Sequence, residues 1–329
     1  MNRELPVVAA EPVPRVASPS HPPSWRRLVA AELHRLLAPR GTRIGAVLVP
    51  VTVVLFGLSK LLLHDADTSQ AWLEAQARFR RFQSDAAEFG LPTNEAVGPR
   101  TFFEDPRYLM DPLSFADLRT LIGALAAAAV VFGIFSGGRD WSSRVMLTLA
   151  TVEPRRARLF GTRALLVGGV AAGATAVAGA LLVPLLLLAA VSCGSTGGLD
   201  GSYWAALTSQ YLRGIVLVAL LALLGYALAM LVRGTSPALA IAFLYLASAD
   251  RIFGGRGPRL AEYDMDGLVF AVLNEKPVVP LAESDCFAGP GCEAAHVDLT
   301  TADGFVGVLL YLGPVLLLAL WRSTRTDIT

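Results

Sequence analysis

The amino-acid sequence predicts an all-α polytopic membrane protein with six membrane-spanning helices, an amino-terminal interfacial helix and two large extracellular loops. Of its 329 residues, 54% are hydrophobic and 17% are charged, whereas a soluble domain carries about 25% charged residues. Several apolar runs approach or exceed the roughly 18 residues needed to cross a bilayer. The charges sum to only +1 and are sorted between loops, so no overall field favours a nucleic-acid partner.

The amino terminus predicts a disordered tail followed by an uncleaved anchor. Residues 1–23 contain six prolines and no apolar periodicity, which is typical of a disordered segment. The first long apolar run begins only at Ile44, which is late for a signal peptide, and no small-residue cleavage site follows it. We therefore expect residues 1–23 to be a cytoplasmic tail and residues 24–329 to form one six-span domain.

A short amphipathic helix precedes the first span. Ser24 can cap a helix that runs to about Ala38 and ends before Pro39. Its apolar residues fall on one face: Trp25, Leu28, Val29, Leu33, Leu36 and Leu37. This pattern predicts a helix lying in the membrane interface, and the alternative is a soluble amphipathic helix.

The six predicted spans cover residues 44–63, 118–135, 164–191, 215–232, 237–249 and 305–321. The fifth is short and ends at a charged pair, Asp250 and Arg251. Small residues recur every four positions in the third, at Gly168, Ala172, Ala176 and Ala180, with Gly169 and Gly173 in a parallel row. Such rows favour close helix contact, although a general alanine bias is the alternative.

Loop charges alternate along the chain and predict the topology. Residues 24–43 hold five arginines and one acid, and residues 136–163 are also basic. Residues 64–117 hold ten acids and five arginines, and residues 250–304 hold ten acids and four bases. The positive-inside rule then places both termini in the cytoplasm. Since arginine outnumbers lysine 26 to 2, as in high-GC bacterial genomes, we expect a bacterial cell membrane.

The loop at residues 137–163 reads GGRDWSSRVMLTLATVEPRRARLFGTR and carries six arginines against two acids. Residues 141–151 predict a short amphipathic helix, which Pro154 ends just before Arg155 and Arg156. On charge alone, these arginines need do no more than fix the topology.

The order of residues in this loop resembles one family, the membrane subunits (permeases) of type-2 ABC transporters. The matching features are acidic-Trp-Ser from Asp140, a short apolar helix, Glu-Pro-Arg-Arg from Glu153, and Arg163 at the next span. The family often has Gly-Thr where this chain has Arg144 and Val145, and often Lys in place of Arg163. The resemblance implies an ATPase-coupling loop with these residues: Asp140, Arg144, Glu153, Pro154, Arg155, Arg156 and Arg158.

The resemblance also implies what the chain does and with what. It implies a permease subunit that forms, with a second permease copy as homodimer or heterodimer, a pathway for export of a hydrophobic or amphipathic compound. ATP and Mg would be bound by a separate ABC ATPase, so we expect no cofactor or enzymatic activity in this chain. It further implies that the amino-terminal helix is an elbow flanking the ATPase contact, and that a re-entrant or interfacial helix precedes the last span.

Missing motifs agree with that expectation. Neither Lys60 nor Lys276 lies in the Gly-x-x-x-x-Gly-Lys-Ser/Thr pattern of a P-loop, and no His-Glu-x-x-His metalloprotease motif occurs. The predicted spans lack the acids and bases of ion-driven transporters, and Lys60 lies near a span end from which it can snorkel. The rival hypotheses are a non-transporting sensor or assembly protein with partner-binding extracellular loops, and an intramembrane enzyme.

The predicted extracellular segments contain two helices and all three cysteines. Residues 69–88 predict a helix with aromatic side chains, which would form a packed cap or contact lipid or substrate. Met265, Leu268, Val269, Val272 and Leu273 have helical spacing. Cys286 and Cys292 bracket a flexible FAGPG turn and predict a disulfide in an oxidising exterior. Cys193 is then left over, either free near the membrane surface or paired between subunits. A metal site is disfavoured, since only His296 lies near the cysteine pair.

Overall fold

A computed structural model describes residues 25–89, 97–142, 156–249, 264–274, 278–280 and 296–325. Nine α-helices lie in this part of the chain: α1 Trp25–Leu37, α2 Arg40–Leu63, α3 Ser69–Glu88, α4 Met110–Ser142, α5 Arg156–Cys193, α6 Gly201–Val232, α7 Thr235–Ala249, α8 Met265–Leu273 and α9 Thr301–Arg325. A 3-10 turn at Pro99–Phe102 and four very short strands complete it: β1 Tyr108–Leu109, β2 Gly194–Ser195, β3 Val278–Pro280 and β4 His296–Asp298.

The protein is an all-α polytopic membrane protein, as the composition predicted. Five helices, α2, α4, α5, α6 and α9, are long and apolar enough to cross a bilayer. The remaining predicted span forms α7, a helix of 15 residues and so about 22 Å long, against a hydrocarbon core of about 30 Å. Its assignment as a sixth span stays a prediction.

Three long helices begin well before the spans that their apolar runs predicted. α4 starts at Met110 rather than 118, α5 at Arg156 rather than 164, and α6 at Gly201 rather than 215. Asp200 caps α6 by accepting a hydrogen bond from the Tyr203 amide at 2.8 Å. The predicted spans were shorter than the helices because they covered only the apolar runs, whereas each of these helices continues into polar residues at its start.

The same effect changes the loop at residues 137–163. Trp141 and Ser142 are the last residues of α4 rather than the start of a separate helix. On the other side, residues from Arg156 onward already belong to α5. Residues 143–155, with the rest of the predicted short helix, lie outside the described residues.

α6 is the central helix of the bundle, and α4 lies against it along the closest helix contact. A Cβ added at Gly133 of α4 would lie 2.1 Å from the Ala222 carbonyl oxygen, and one at Gly225 of α6 would lie 2.2 Å from that of Val130. Only glycine permits such backbone contact. In the third predicted span, by contrast, a Cβ at Gly169 or Gly173 meets nothing within 4 Å. Among the described residues, the backbones of α4 and α6 therefore come into direct contact, and Gly169 and Gly173 of α5 take no part in such a contact.

Contacts between helices show that the long helices from α2 to α6 alternate in direction along the chain, so that every second one is parallel. Ile122 of α4 faces Gly214 of α6, and Gly137 faces Tyr226 further along both helices, so α4 and α6 run parallel. Lys60 near the end of α2 pairs with Asp117 near the start of α4, so those two helices are antiparallel. The parallel pairing of β1 with β2 joins the start of α4 to the end of α5.

This alternation gives the bundle two ends, which we name by their charge. The basic end holds α1, the starts of α2 and α5, and the ends of α4, α6 and α9. There Arg322 of α9 donates a hydrogen bond to the Leu231 carbonyl near the end of α6. The acidic end holds α3, β1, β2, α8 and the start of α9.

Both helices predicted for the acidic end are present. α3 spans Ser69–Glu88, and its Trp72 stacks on Phe103 with ring centroids 4.4 Å apart. α8 packs against the first turns of α9, where added Cβ atoms at Gly304 and Gly307 would lie within 3 Å of the α8 residues Val272 and Leu268. The strands β3 and β4 pair antiparallel on either side of residues 281–295. Cys286 and Cys292 lie in that interval, outside the described residues.

Candidate functional site: the basic end and a membrane cavity

Three of the seven predicted coupling-loop residues are described, and all three lie at the basic end. Asp140 is in the last turn of α4, Arg156 is the first residue of α5, and Arg158 follows in the same turn. The remaining four lie outside the described residues: Arg144, Glu153, Pro154 and Arg155. The guanidinium of Arg158 lies over the Trp25 ring of α1, 5.8 Å from the ring centroid, in the arrangement of a cation–π contact.

An ion pair buried between α1 and α5 is the main feature of this end. Arg163 Nε lies 2.9 Å from Glu32 Oε2, and the two side chains keep only 6% and 9% of their surface exposed. A second nitrogen of Arg163 lies 3.5 Å from Glu32 Oε1, and Arg35 lies 3.9 Å from the same oxygen. Removing one partner of such a pair leaves an uncompensated buried charge, which is strongly destabilising.

The pair fastens the amino-terminal helix to the carboxyl-terminal side of the 137–163 loop. Together with the Arg158–Trp25 contact, it fixes α1 against the first two turns of α5. Sequence reasoning named Arg163 as the residue opening a span, but did not single out Glu32. The available signal was that Glu32 is the one acid among five arginines in residues 24–43.

A cavity of about 1120 Å³ lies between α2, α4 and α5, and α1 borders its basic end. Most of its wall is apolar, from Val49 on α2, Phe132 on α4 and Val170 on α5. Its charged side chains are at the basic end: Glu32, Arg35, Arg139 and Arg163. Along α5 the wall runs from Arg163 to Ala178, which is about 22 Å at 1.5 Å per residue.

The acidic end contains a second ion pair, largely buried, which corrects the expectation that the spans lack buried acids and bases. Lys60 Nζ lies 2.7 Å from Asp117 Oδ1, with the side chains 19% and 9% exposed. Lys60 therefore does not simply snorkel to solvent. The sequence interpretation missed the pair because it placed Asp117 in a loop, one residue before the predicted span, whereas α4 begins at Met110.

Tyr108 completes this cluster. Its hydroxyl donates a hydrogen bond to Asp117 Oδ2 at 2.9 Å, and its side chain is fully buried. Burial and the negative charge of Asp117 raise the pKa of the Tyr108 hydroxyl far above its ordinary value. Tyr108 is consequently a neutral hydrogen-bond donor at physiological pH. The Asp117 carboxylate therefore interacts with both the Lys60 ammonium group and the Tyr108 hydroxyl.

Further polar groups line the contact between α4 and α6 near this cluster. Ser114 and Tyr203 hydroxyls are 2.8 Å apart, and the Gln210 amide donates to the Phe115 carbonyl at 3.2 Å. The Gln210 Oε1 atom is buried and accepts no hydrogen bond from any described residue. These contacts hold α4 and α6 together at the acidic end.

Cys193 at the end of α5 is a free thiol whose sulfur lies 3.2 Å from the Ala189 carbonyl oxygen. Within the described ranges, no group of three or more His, Cys, Asp or Glu side chains is placed to hold a metal ion. No protein-family model matches the chain, and no curated protein or solved structure matches it either.

Proposed function

We propose that this chain is the permease subunit of an ABC exporter in a bacterial cell membrane, energised by a separate ATPase that docks at the basic end. The observation that carries the proposal is the Glu32–Arg163 pair at 2.9 Å. It ties α1 to α5 beside the residues that resemble the coupling loop of type-2 permeases. A loop that transmits a movement of an ATPase to the spans needs a firm attachment of this kind, because a loosely held loop would move without its helices.

Charge supports the orientation. The helix ends gathered at the basic end come from arginine-rich segments, and those at the acidic end come mainly from residues 64–117 and 250–304, which together hold twenty acids and nine bases. By the positive-inside rule the basic end faces the cytoplasm, where an ATPase has its ATP and Mg. On this basis both termini are cytoplasmic and α7 is the sixth span, with its short length met by packing or local thinning.

The outer face of α2 supports association with a second permease copy. In the most apolar stretch of α2, only 11% of the residues are buried within the chain, the lowest share among the five long apolar helices. Its first three turns expose Ile44, Val47, Leu48 and Val51 by 48% or more. We propose that a second copy covers part of this face and that membrane lipid covers the rest, with the export pathway between the copies.

The experiment is purification of the tagged full-length chain from its own host, followed by native mass spectrometry and an ATPase assay. We expect two permease chains bound to two P-loop ATPase chains, with ATP hydrolysis that responds to the transported compound. A preparation that still transports but contains only monomeric chain without an ATPase contradicts the proposal.

A second candidate is a non-transporting sensor or assembly protein that binds a partner at the acidic end. The observation in its favour is that α3 exposes Leu73 by 64%, while Phe89 just after the helix is 73% exposed. Phe82 of the same helix is 37% exposed, and a partner of this second candidate would contact these apolar side chains along α3. The same purification separates the two candidates, because a sensor or assembly protein would co-purify with a partner at α3 and without a P-loop ATPase.

A further inference from the structure

We propose that the cavity between α2, α4 and α5 binds an anionic amphiphile, with its apolar tail along α5 and its negative headgroup at the basic end. This assignment deepens the proposed function and rests on it for transport of the ligand. Binding itself requires neither ATP nor the ATPase, so the two proposals can fail separately.

Size and lining specify the tail. The cavity volume of about 1120 Å³ exceeds the usual range of about 300–1,000 Å³ for small-molecule sites. Its length of about 22 Å along α5 is greater than half of the bilayer's hydrocarbon core, which is about 15 Å. Over this length the wall is mostly aliphatic and aromatic, and the hydroxyls of Ser136 and Thr175 donate to the carbonyls of Phe132 and Ala171 in their own helices. A long hydrocarbon chain fills such a space without leaving polar groups unpaired.

Charge specifies the headgroup. The basic end of the cavity carries three arginines and one acid, and that acid, Glu32, already pairs with Arg163. The described residues 25–43, 136–142 and 156–163 together hold nine arginines and two acids, so the net charge of this end is positive. Guanidinium groups bind phosphate and carboxylate through several charge-assisted hydrogen bonds. A phosphate-type or carboxylate headgroup therefore fits, and a cationic one does not.

The position of α2 specifies the route of entry. α2 is joined to α4 at the acidic end by Lys60 and Asp117, and it packs on α5 where Gly57 meets Leu185. Towards the basic end, α2 and α4 are separated by the cavity. Exposed Val131 and Phe135 of α4 line it there. The opening therefore faces the lipid of one leaflet, and an amphiphile of that leaflet can enter with its headgroup kept at the interface.

Glycines on the two walls allow a direct test. A Cβ added at Gly45 of α2 or Gly173 of α5 meets nothing within 4 Å, and both positions line the cavity. Gly45→Phe and Gly173→Phe therefore place a ring in the cavity without a backbone clash. Gly169→Phe is the matched control, since Gly169 is equally open, lies one turn away on α5 and does not line the cavity.

Binding is measured by native mass spectrometry of the purified full chain in detergent. The two probes are phosphatidylglycerol and phosphatidylcholine with identical acyl chains. We expect one phosphatidylglycerol to bind about tenfold more tightly than phosphatidylcholine, and each cavity variant to weaken it about tenfold or more, while Gly169→Phe binds as wild type. Arg35→Gln with Arg139→Gln should remove the preference for phosphatidylglycerol and leave phosphatidylcholine binding unchanged.

Three results overturn the assignment. Wild-type lipid binding by folded Gly45→Phe and Gly173→Phe places the lipid elsewhere. If the wild-type chain binds the two lipids equally, the cavity does not select an anionic headgroup. If dimers purify without lipid and take up lipid only after they dissociate, the cavity is occupied by a second copy of the chain rather than by lipid. If cavity variants lose lipid but keep their ATPase, the proposed function stands; if lipid binding is as expected and no ATPase co-purifies, only the exporter proposal fails.

Discussion

Arg163 of α5 and Glu32 of α1 form an ion pair almost closed to solvent, with Arg163 Nε 2.9 Å from Glu32 Oε2. The two residues are 131 positions apart in the chain, and nothing in the sequence pairs them. Their contact joins the amino-terminal helix to the helix that follows the arginine-rich loop. Both residues also line the charged end of the cavity, so this one interaction belongs to the proposed ATPase-docking end and to the proposed amphiphile site.

The first prediction concerns this pair. Arg163→Met leaves Glu32 as a buried charge without its main partner and should lower the free energy of unfolding by about 3–5 kcal/mol. Glu32→Leu combined with Arg163→Met removes both charges and should recover most of the loss. The measurement is unfolding of the detergent-solubilised protein, with Arg78→Gln as a control because its ion pair with Glu104 is exposed. A stable Arg163→Met variant would show that the pair is not buried in the folded protein.

The second prediction concerns Lys60, Asp117 and Tyr108 at the acidic end. Tyr108→Phe removes one hydrogen bond to a charged group, for a loss of about 1.5–3 kcal/mol. Lys60→Met and Asp117→Asn should each destabilise more than the two substitutions do in combination, with a coupling energy of about 0.5–3 kcal/mol in a double-mutant cycle. Additive effects of these two substitutions would mean that the residues do not interact.

The third prediction tests the contact between α4 and α6. Gly133→Ala or Gly225→Ala places a methyl group against the backbone of the facing helix, and overpacking of this kind costs about 1–3 kcal/mol. Gly169→Ala is the matched control, because its added carbon meets open space. Thermal unfolding of the three variants decides the matter: equal midpoints would place the close contact elsewhere.

The fourth prediction is the Cys286–Cys292 disulfide. The antiparallel pairing of Pro280 with His296 brings the flanks of this segment together, which favours closure of the small loop. Such a bridge stabilises the loop by about 2–3 kcal/mol in the entropic description. Peptide mapping without reductant should find the two cysteines linked and the Cys193 thiol free to alkylate. Full alkylation of Cys286 and Cys292 in the folded protein excludes the bridge.

Sequence reasoning found the helices and missed the pairs. Periodicity was sufficient for α1 and α8, because apolar residues repeat at helical spacing in each, and α3 was predicted with the bounds that the structure has. It could not find Glu32 or Asp117 as partners, since each pairs with a residue on another helix and charge spacing along the chain carries no such information. It also began the span of α4 at Leu118, the first residue of the apolar run. Asp117 was therefore assigned to a loop, and its pair with Lys60 was missed. Lastly, glycines mark close contact only when a facing helix is known: Gly133 has one and Gly169 does not.

The central claim is that the loop at residues 137–163 docks an ATPase, and the fifth prediction tests it. If the arginines only fixed topology, reversing two of them would be tolerated, because the remaining positive charges would still hold the loop inside. If Arg155 and Arg156 meet acidic groups of the ATPase, reversal breaks charge pairs at the interface, at a cost of about 2–5 kcal/mol. That cost lowers affinity by factors of tens to thousands.

The deciding measurement is co-purification of the ATPase with the variant Arg155→Glu plus Arg156→Glu. We expect the variant to insert and dimerise as wild type but to lose the ATPase or its stimulation by substrate. The matched control, Arg78→Glu plus Arg81→Glu, reverses two arginines of α3 at the acidic end and should retain the ATPase. Wild-type ATPase binding and transport by the loop variant would contradict the coupling assignment and leave the loop as a topology signal alone.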